Sequence, residues 1–114
     1  MANDVVLIDV AEGSKRVMNN NKLYAKLLGK FKDDSNLKEI EAALAAGDVE
    51  KAKNPAHTLK GLSANLSLTE LYKQSVEIET QIKAGSVKPD QLAILKNVFT
   101  QTLAEIDKVV AQYG

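Results

Sequence analysis

The chain is predicted to be all-α: an antiparallel up-down four-helix bundle with a short extra N-terminal helix. Three observations carry this reading. Leu, Ala, Lys and Glu dominate the composition, which favours helices over sheets. Apolar residues recur at three- and four-residue spacings, and no segment with strand periodicity competes. Capping residues punctuate the apolar runs at short intervals, and short connections favour antiparallel neighbours.

Apolar Val5 to Ile8 precede Asp9, which suits the N-cap of a short helix through about Met18. Asn19, Asn20 and Asn21 break the chain, and Asn21 can cap the next helix. A helical segment then runs from Lys22 to about Ala46 on Leu23, Leu27, Leu28, Phe31, Leu37, Ile40, Ala43 and Leu44, with a kink available at Asp33 to Asn36. Gly47 suits a C-terminal cap and Asp48 the next N-cap. The third segment, Val49 to Leu66, contains Pro55. A proline there removes a backbone donor and clashes with the preceding turn, so a kink or split is expected near Asn54. Ser67-Leu68-Thr69-Glu70 has the form of a capping box opening a fourth helix through Leu71, Val76, Ile78 and Ile82. Gly85 ends it. Pro89 suits the first turn of the last helix, whose stripe is Leu92, Leu95, Val98 or Phe99, Leu103, Ile106 and Val110.

At 114 residues the chain suits one domain spanning 1–114. It has no cysteine, so thiol chemistry and disulfides are excluded. Fifteen basic and fifteen acidic residues cancel, and few aromatics are present, so nothing points to nucleic acid or an anionic membrane. No run of eighteen apolar residues exists, and Met1 to Asp4 lack the basic start of a signal peptide. The expectation is a soluble, cytoplasmic protein, and polar outer faces favour a monomer.

The only histidine, His57, lies on the third segment. On a helical wheel advancing roughly 100° per residue, Leu59, Leu62 and Leu66 fall at about 140–200° from it and form the expected buried stripe. Glu50, Lys53, Lys60, Gly61 and Ala64 fall within about 60° of it. The imidazole therefore points away from the core, with Lys60 one turn on and Lys53 one turn back. A core or cap histidine would occupy the opposite face. An ordinary solvated histidine would not explain the small residues beside it. Glycine inside a helix costs roughly 1 kcal/mol relative to alanine, which suggests that another surface approaches at Gly61 and Ala64. One histidine without cysteine leaves only carboxylates to complete a metal site, which argues against metal binding. Ser63 and Ser67 lie nearby, but no nucleophile elbow, phosphate-binding glycine loop, dinucleotide fingerprint or kinase motif is present. Neutral imidazole is itself a nucleophile. A nearby lysine would neutralise an incoming phosphoryl group. A carboxylate on the other ring nitrogen would fix the tautomer, and Glu77 and Glu79 on the fourth helix are the candidates.

Ala56-His57-Thr58-Leu59-Lys60-Gly61, continuing through Ser63-Ala64-Asn65-Leu66, resembles the signature of histidine-containing phosphotransfer (HPt) domains of bacterial two-component phosphorelays. Asp9 to Gly13, Tyr24 to Phe31 and Ala42 to Asp48 resemble the family's opening, its first bundle helix and its lead into the histidine helix. The resemblance implies a phosphoryl carrier without kinase activity of its own. His57 Nε2 would accept a phosphoryl group from a receiver-domain phospho-aspartate of a hybrid sensor histidine kinase and pass it to a response-regulator aspartate. It further implies that Lys60 assists electrostatically, that Gly61 leaves room for the receiver, and that Glu79 hydrogen-bonds the histidine. No cofactor is implied for this chain, since Mg²⁺ would sit on the partner receiver domain. Two positions depart from the pattern: Ser67 stands where many members have glycine, and Pro55 where an ordinary helix former is usual. The other class consistent with the sequence is an HPt-like adaptor bundle that binds signalling partners without being phosphorylated.

Overall fold

A computed structural model describes residues 6–114; the stretch Met1 to Val5, including part of the apolar run before Asp9, lies outside the described residues. Among the described residues the chain is helical, with no strand. The helices are α1 (Val10–Lys15), α2 (Asn21–Phe31), α3 (Asn36–Ala45), α4 (Val49–Asn65), α5 (Thr69–Lys83) and α6 (Pro89–Tyr113). α4 packs on α3 and α5, and α6 packs on α5 and α2, while the short α1 lies on α2. The result is the helical bundle with an extra N-terminal helix that the sequence predicts.

Local chemistry explains most boundaries. The Asp9 side chain accepts from Glu12 N–H at 3.1 Å and the Asp48 side chain from Lys51 N–H at 3.0 Å, each satisfying an orphan donor of a first turn. Gly47 and Gly85 hold φ of 74° and 85° just past α3 and α5, the left-handed conformation that glycine adopts without a Cβ penalty. Pro89 opens α6.

Four expectations are corrected. Asn20, not Asn21, caps α2, its side chain accepting from Leu23 N–H at 3.0 Å. The segment from Lys22 to Ala46 is two helices: Asp34 accepts from the Asn36 N–H and side-chain amide, which holds the turn between them. Of the kink or split expected near Asn54, the split does not occur: α4 runs unbroken through Pro55 from Val49 to Asn65. Pro55 itself is buried, whereas Lys51, whose carbonyl loses its helical partner, is exposed, so water can take that acceptor.

The fourth correction is Ser67. The capping box does not form, since Leu68 is the N-cap of α5 and no side chain caps it. Ser67 instead takes φ of 57° after α4. There Ser67 N–H donates to Ala64 O at 3.2 Å and Leu68 N–H to Ser63 O at 2.8 Å, the paired bonds of a Schellman C-terminus. This is the position for which glycine is best suited. Serine is held in it by tertiary contacts: its hydroxyl donates to Glu12 at 2.7 Å, and its carbonyl accepts from Asp9 N–H at 2.9 Å. Those bonds, with Tyr24 Oη donating to Leu66 O, fasten α1 and α2 to the α4–α5 corner. Burial first, then the charges of Asp9 and Glu12, push the Tyr24 phenol well above its ordinary range, so it remains a donor. Gly13 permits this closure, because a Cβ there would overlap the Tyr24 ring.

The core is built from Tyr24 and Leu28 of α2, Ile40 of α3, Leu59 of α4, Leu71, Ile78 and Ile82 of α5, and Leu95 and Ile106 of α6. Phe31 and Phe99 add a tilted aromatic pair with centroids 5.8 Å apart.

Candidate functional site: an imidazole on a buried carboxylate

The buried face of α4 consists of Ala52, Pro55, Ala56, Leu59 and Ser63. It is turned from the leucine stripe of the wheel: Leu59 is fully buried, but Leu62 and Leu66 are only half-buried and line a surface cleft with Leu27 and Phe31. Small residues face inward because α3 and α5 both pack against this helix. His57 remains on the opposite side, its side chain 70% exposed.

α5 runs alongside and supplies the partner. His57 Nδ1 lies 2.9 Å from Glu79 Oε2. The Glu79 side chain is only 6% exposed, and its other oxygen, Oε1, lies 2.7 Å from Lys60 Nζ. Lys83 Nζ approaches Oε2 at 3.7 Å. Burial acts to raise the Glu79 carboxyl, but hydrogen bonds from Lys60 and His57 and the charges of Lys60 and Lys83 outweigh it, so the group sits below its ordinary value and is ionised. An ionised carboxylate only accepts, so Nδ1 carries the hydrogen and donates it. The lone pair then resides on Nε2 of a side chain that is 70% exposed.

The structure therefore brings His57, Lys60 and Glu79 together. The choice left open between Glu77 and Glu79 resolves to Glu79, since Glu77 is exposed and accepts from Gln81 instead. Lys60 is not directed freely into solvent, as its position on the wheel suggests; its ammonium is engaged by Glu79 and is 27% exposed. Lys53 stays apart, paired with Glu50 at 3.1 Å. Gly61 is exposed, and a Cβ there would meet nothing within 4 Å, so neither packing nor a positive φ accounts for this glycine. Ala64 lines a polar groove of about 370 Å³ with Asp9, Glu12, Arg16 and Tyr72. Lys83 is a participant that the sequence does not single out. Its signal is the Glu79–Lys83 spacing of four on one helix, acidic residue first, the favourable order for a helical pair.

Tyr72 and Val76 continue this face along α5, at helical spacing from Glu79, and are 41% and 36% exposed. Tyr72 also lines the groove that Ala64 of α4 borders. Among the described residues no cluster of metal-ligating side chains occurs, and no helix is long and apolar enough to cross a membrane.

A helical bundle that displays one exposed imidazole, with Nδ1 bound by a buried carboxylate and the lone pair left on Nε2, defines a class: a bundle with a surface base and nucleophile and no enclosed site around it. The chain belongs to the Hpt domain family, whose model matches residues 26–112. No curated protein and no solved structure matches it. Hpt domains serve histidine phosphotransfer in phosphorelays, are phosphocarriers rather than kinases, and interact with receiver domains of response regulators and kinases.

Proposed function

We propose that this chain is a phosphorelay intermediate that carries the phosphoryl group on His57 Nε2. It takes the group from a receiver phospho-aspartate of a hybrid sensor kinase and delivers it to a response-regulator aspartate. The observation that carries the reading is the tautomer lock: Glu79 occupies Nδ1, so the nucleophilic lone pair lies on Nε2 of an exposed ring. In the forward step Nε2 forms a bond to phosphorus, the bond from phosphorus to the aspartyl oxygen breaks, and its electron pair leaves with the receiver carboxylate. No proton moves. The ring becomes cationic, and Glu79 stabilises it through Nδ1–H. Lys60 draws on the phosphoryl oxygens, one turn from Nε2. Gly61 and Ala64 admit the receiver, which rests on Tyr72 and Val76, while Lys53 lies at the far edge of this surface.

In this reading the protein works as a cytoplasmic monomer without metal or kinase activity of its own, and Mg²⁺ belongs to the receiver. The test is incubation with a phosphorylated receiver domain. The wild type should acquire acid-labile, base-stable phosphate, and His57→Gln should acquire none. Absence of label across a panel of receivers would defeat the carrier reading and leave an adaptor bundle. Label on His57→Gln would move the site.

A further inference from the structure

Glu79 has two oxygens and three donors around them. Lys60 holds Oε1 at 2.7 Å; His57 Nδ1 at 2.9 Å and Lys83 at 3.7 Å share Oε2. His57 and Lys60 come from α4 and Lys83 from Glu79's own helix; Lys53 is occupied by Glu50, and Glu77 interacts with Gln81. With neutral imidazole, one carboxylate faces two ammonium groups, so the cluster already holds one cation in excess of its anion.

A phosphoryl group on Nε2 changes the competition for Lys60. It brings about two negative charges and three acceptor oxygens to a point one helical turn away. Lys60 then divides its three N–H donors and its charge between that group and Oε1, so the 2.7 Å contact to Glu79 weakens. A weakened contact leaves an oxygen of a 6%-exposed carboxylate less well satisfied, which is costly for a buried charge. The same moment demands more from Glu79, because the phosphorylated ring is cationic. Lys83 is the remaining cation within reach. Its side chain is 64% exposed, and it already approaches the carboxylate at 3.7 Å.

Resting on the carrier function proposed for His57, we propose that Lys83 is a positioning residue for phosphoryl transfer: it takes over Glu79 when Lys60 turns to the phosphoryl group. The carboxylate then remains ionised and bound to Nδ1 while His57 is loaded. Lys60 and Lys83 thus exchange duties with the phosphorylation state, and Lys83 acts through Glu79 rather than on the phosphoryl oxygens.

The experiment prepares phospho-His57 chemically with phosphoramidate, whose P–N bond breaks, releasing ammonia, as Nε2–P forms. No receiver is needed at this stage. ¹⁵N NMR of the ring is recorded with and without the phosphoryl group for wild type, Lys83→Ala, Lys83→Arg and Glu79→Gln/Lys83→Ala. Before phosphorylation, Lys83→Ala should change the ring spectrum less than after it, because Lys60 still holds Oε1 fully. After it, the ratio of protonated to neutral phospho-imidazole at fixed pH should fall about two- to five-fold, the span of a partly exposed charge pair. Discharge to a receiver aspartate should slow by a similar factor, and Lys83→Arg should restore both. In the Glu79→Gln background, Lys83→Ala should add nothing. The proposal is overturned by a phosphorylated Lys83→Ala spectrum equal to wild type, by an equal change before phosphorylation, by failure of Lys83→Arg to rescue, or by an effect that persists without the Glu79 charge. Failure of wild type to accept a phosphoryl group from any receiver would instead defeat the carrier reading, and the chemically prepared state would still report on Lys83.

Discussion

Glu79→Gln isolates the charge at the site from its hydrogen bond. Glutamine keeps an oxygen that can accept from His57 Nδ1–H in nearly the same volume, so the tautomer and the fold should persist. It loses the negative charge that faces the ring once phosphorylation makes the ring cationic. Two unit charges 2.9 Å apart attract by about 1.4 kcal/mol at the dielectric of water and by about 6 kcal/mol at an effective dielectric of 20. The imidazole is 70% exposed, so the lower figure governs. A charged hydrogen bond exceeds a neutral one by a comparable amount, about 1 kcal/mol. Glu79→Gln should therefore shift the equilibrium between phospho-His57 and receiver phospho-aspartate towards the receiver by roughly 5- to 10-fold, at about 1.4 kcal/mol per tenfold. The assay mixes equal amounts of protein and a phosphorylated receiver and measures the distribution of label at equilibrium. An unchanged distribution would refute the electrostatic role assigned to Glu79. Glu79→Ala should act more strongly, because Nδ1 then loses its acceptor and the ring its fixed tautomer.

The remaining expectations concern packing, docking and pH. Leu59→Ala should cost about 2–5 kcal/mol, since the side chain is fully buried, whereas half-buried Leu62→Ala should cost clearly less; denaturant melts that reverse this order would contradict the orientation of α4. Gly13→Ala should destabilise by about 1–3 kcal/mol, or release α1, because the added Cβ would run into the buried Tyr24 ring; hydrogen exchange in α1 identical to wild type would refute that contact. Gly61→Leu should melt as wild type, apart from roughly a stabilising 1 kcal/mol of helix propensity, yet lose receiver binding; undiminished binding by titration would remove Gly61 from the docking surface. Glu79 titrates below its ordinary value of 4.5 in the folded chain, so its contribution to stability is complete above that pH and is lost as pH falls through the lowered value. The melting-temperature difference between wild type and Glu79→Gln should accordingly close in acid, and a difference that instead grew as the pH fell would reverse the assigned sign.

Helix ends are legible in the sequence where the signal is local. Asp9, Asp48, Gly47, Gly85 and Pro89 act on their own first or last turn and need no distant partner. Ser67 defeats a local reading because its conformation depends on Glu12, Asp9 and the end of α4, none of which an S-x-x-E pattern contains. The wheel finds the outward face of His57 but misplaces the inward one, because leucines do not mark the core along the whole of α4. Where α3 and α5 both crowd this helix, the close approach selects Ala52, Ala56 and Ser63, and Leu62 is left at the rim. The choice between Glu77 and Glu79 is open in the sequence for a geometric reason. They flank Ile78 by about 100° on either side, so each borders the buried stripe, and only the side on which α4 lies separates them.

That separation explains why the reactive group is exposed while its partner is buried. A carboxylate facing water on α5 would gain little from a histidine on α4 and would fix neither its ring nor its tautomer. Set at 6% exposure between two helices, Glu79 can point only where α4 supplies donors, and it finds them on consecutive turns at His57 and Lys60. In the proposed function the imidazole must remain outside, because the electrophile would arrive on another protein. Receiver docking would then shield a side chain that is 70% exposed in the free protein. Exclusion of water strengthens the interaction between Glu79 and the ring at the moment when the ring gains its charge. On the proposed function the helices supply a prearranged anion and an exposed imidazole, and the dry surroundings that make the pair effective would come from the partner.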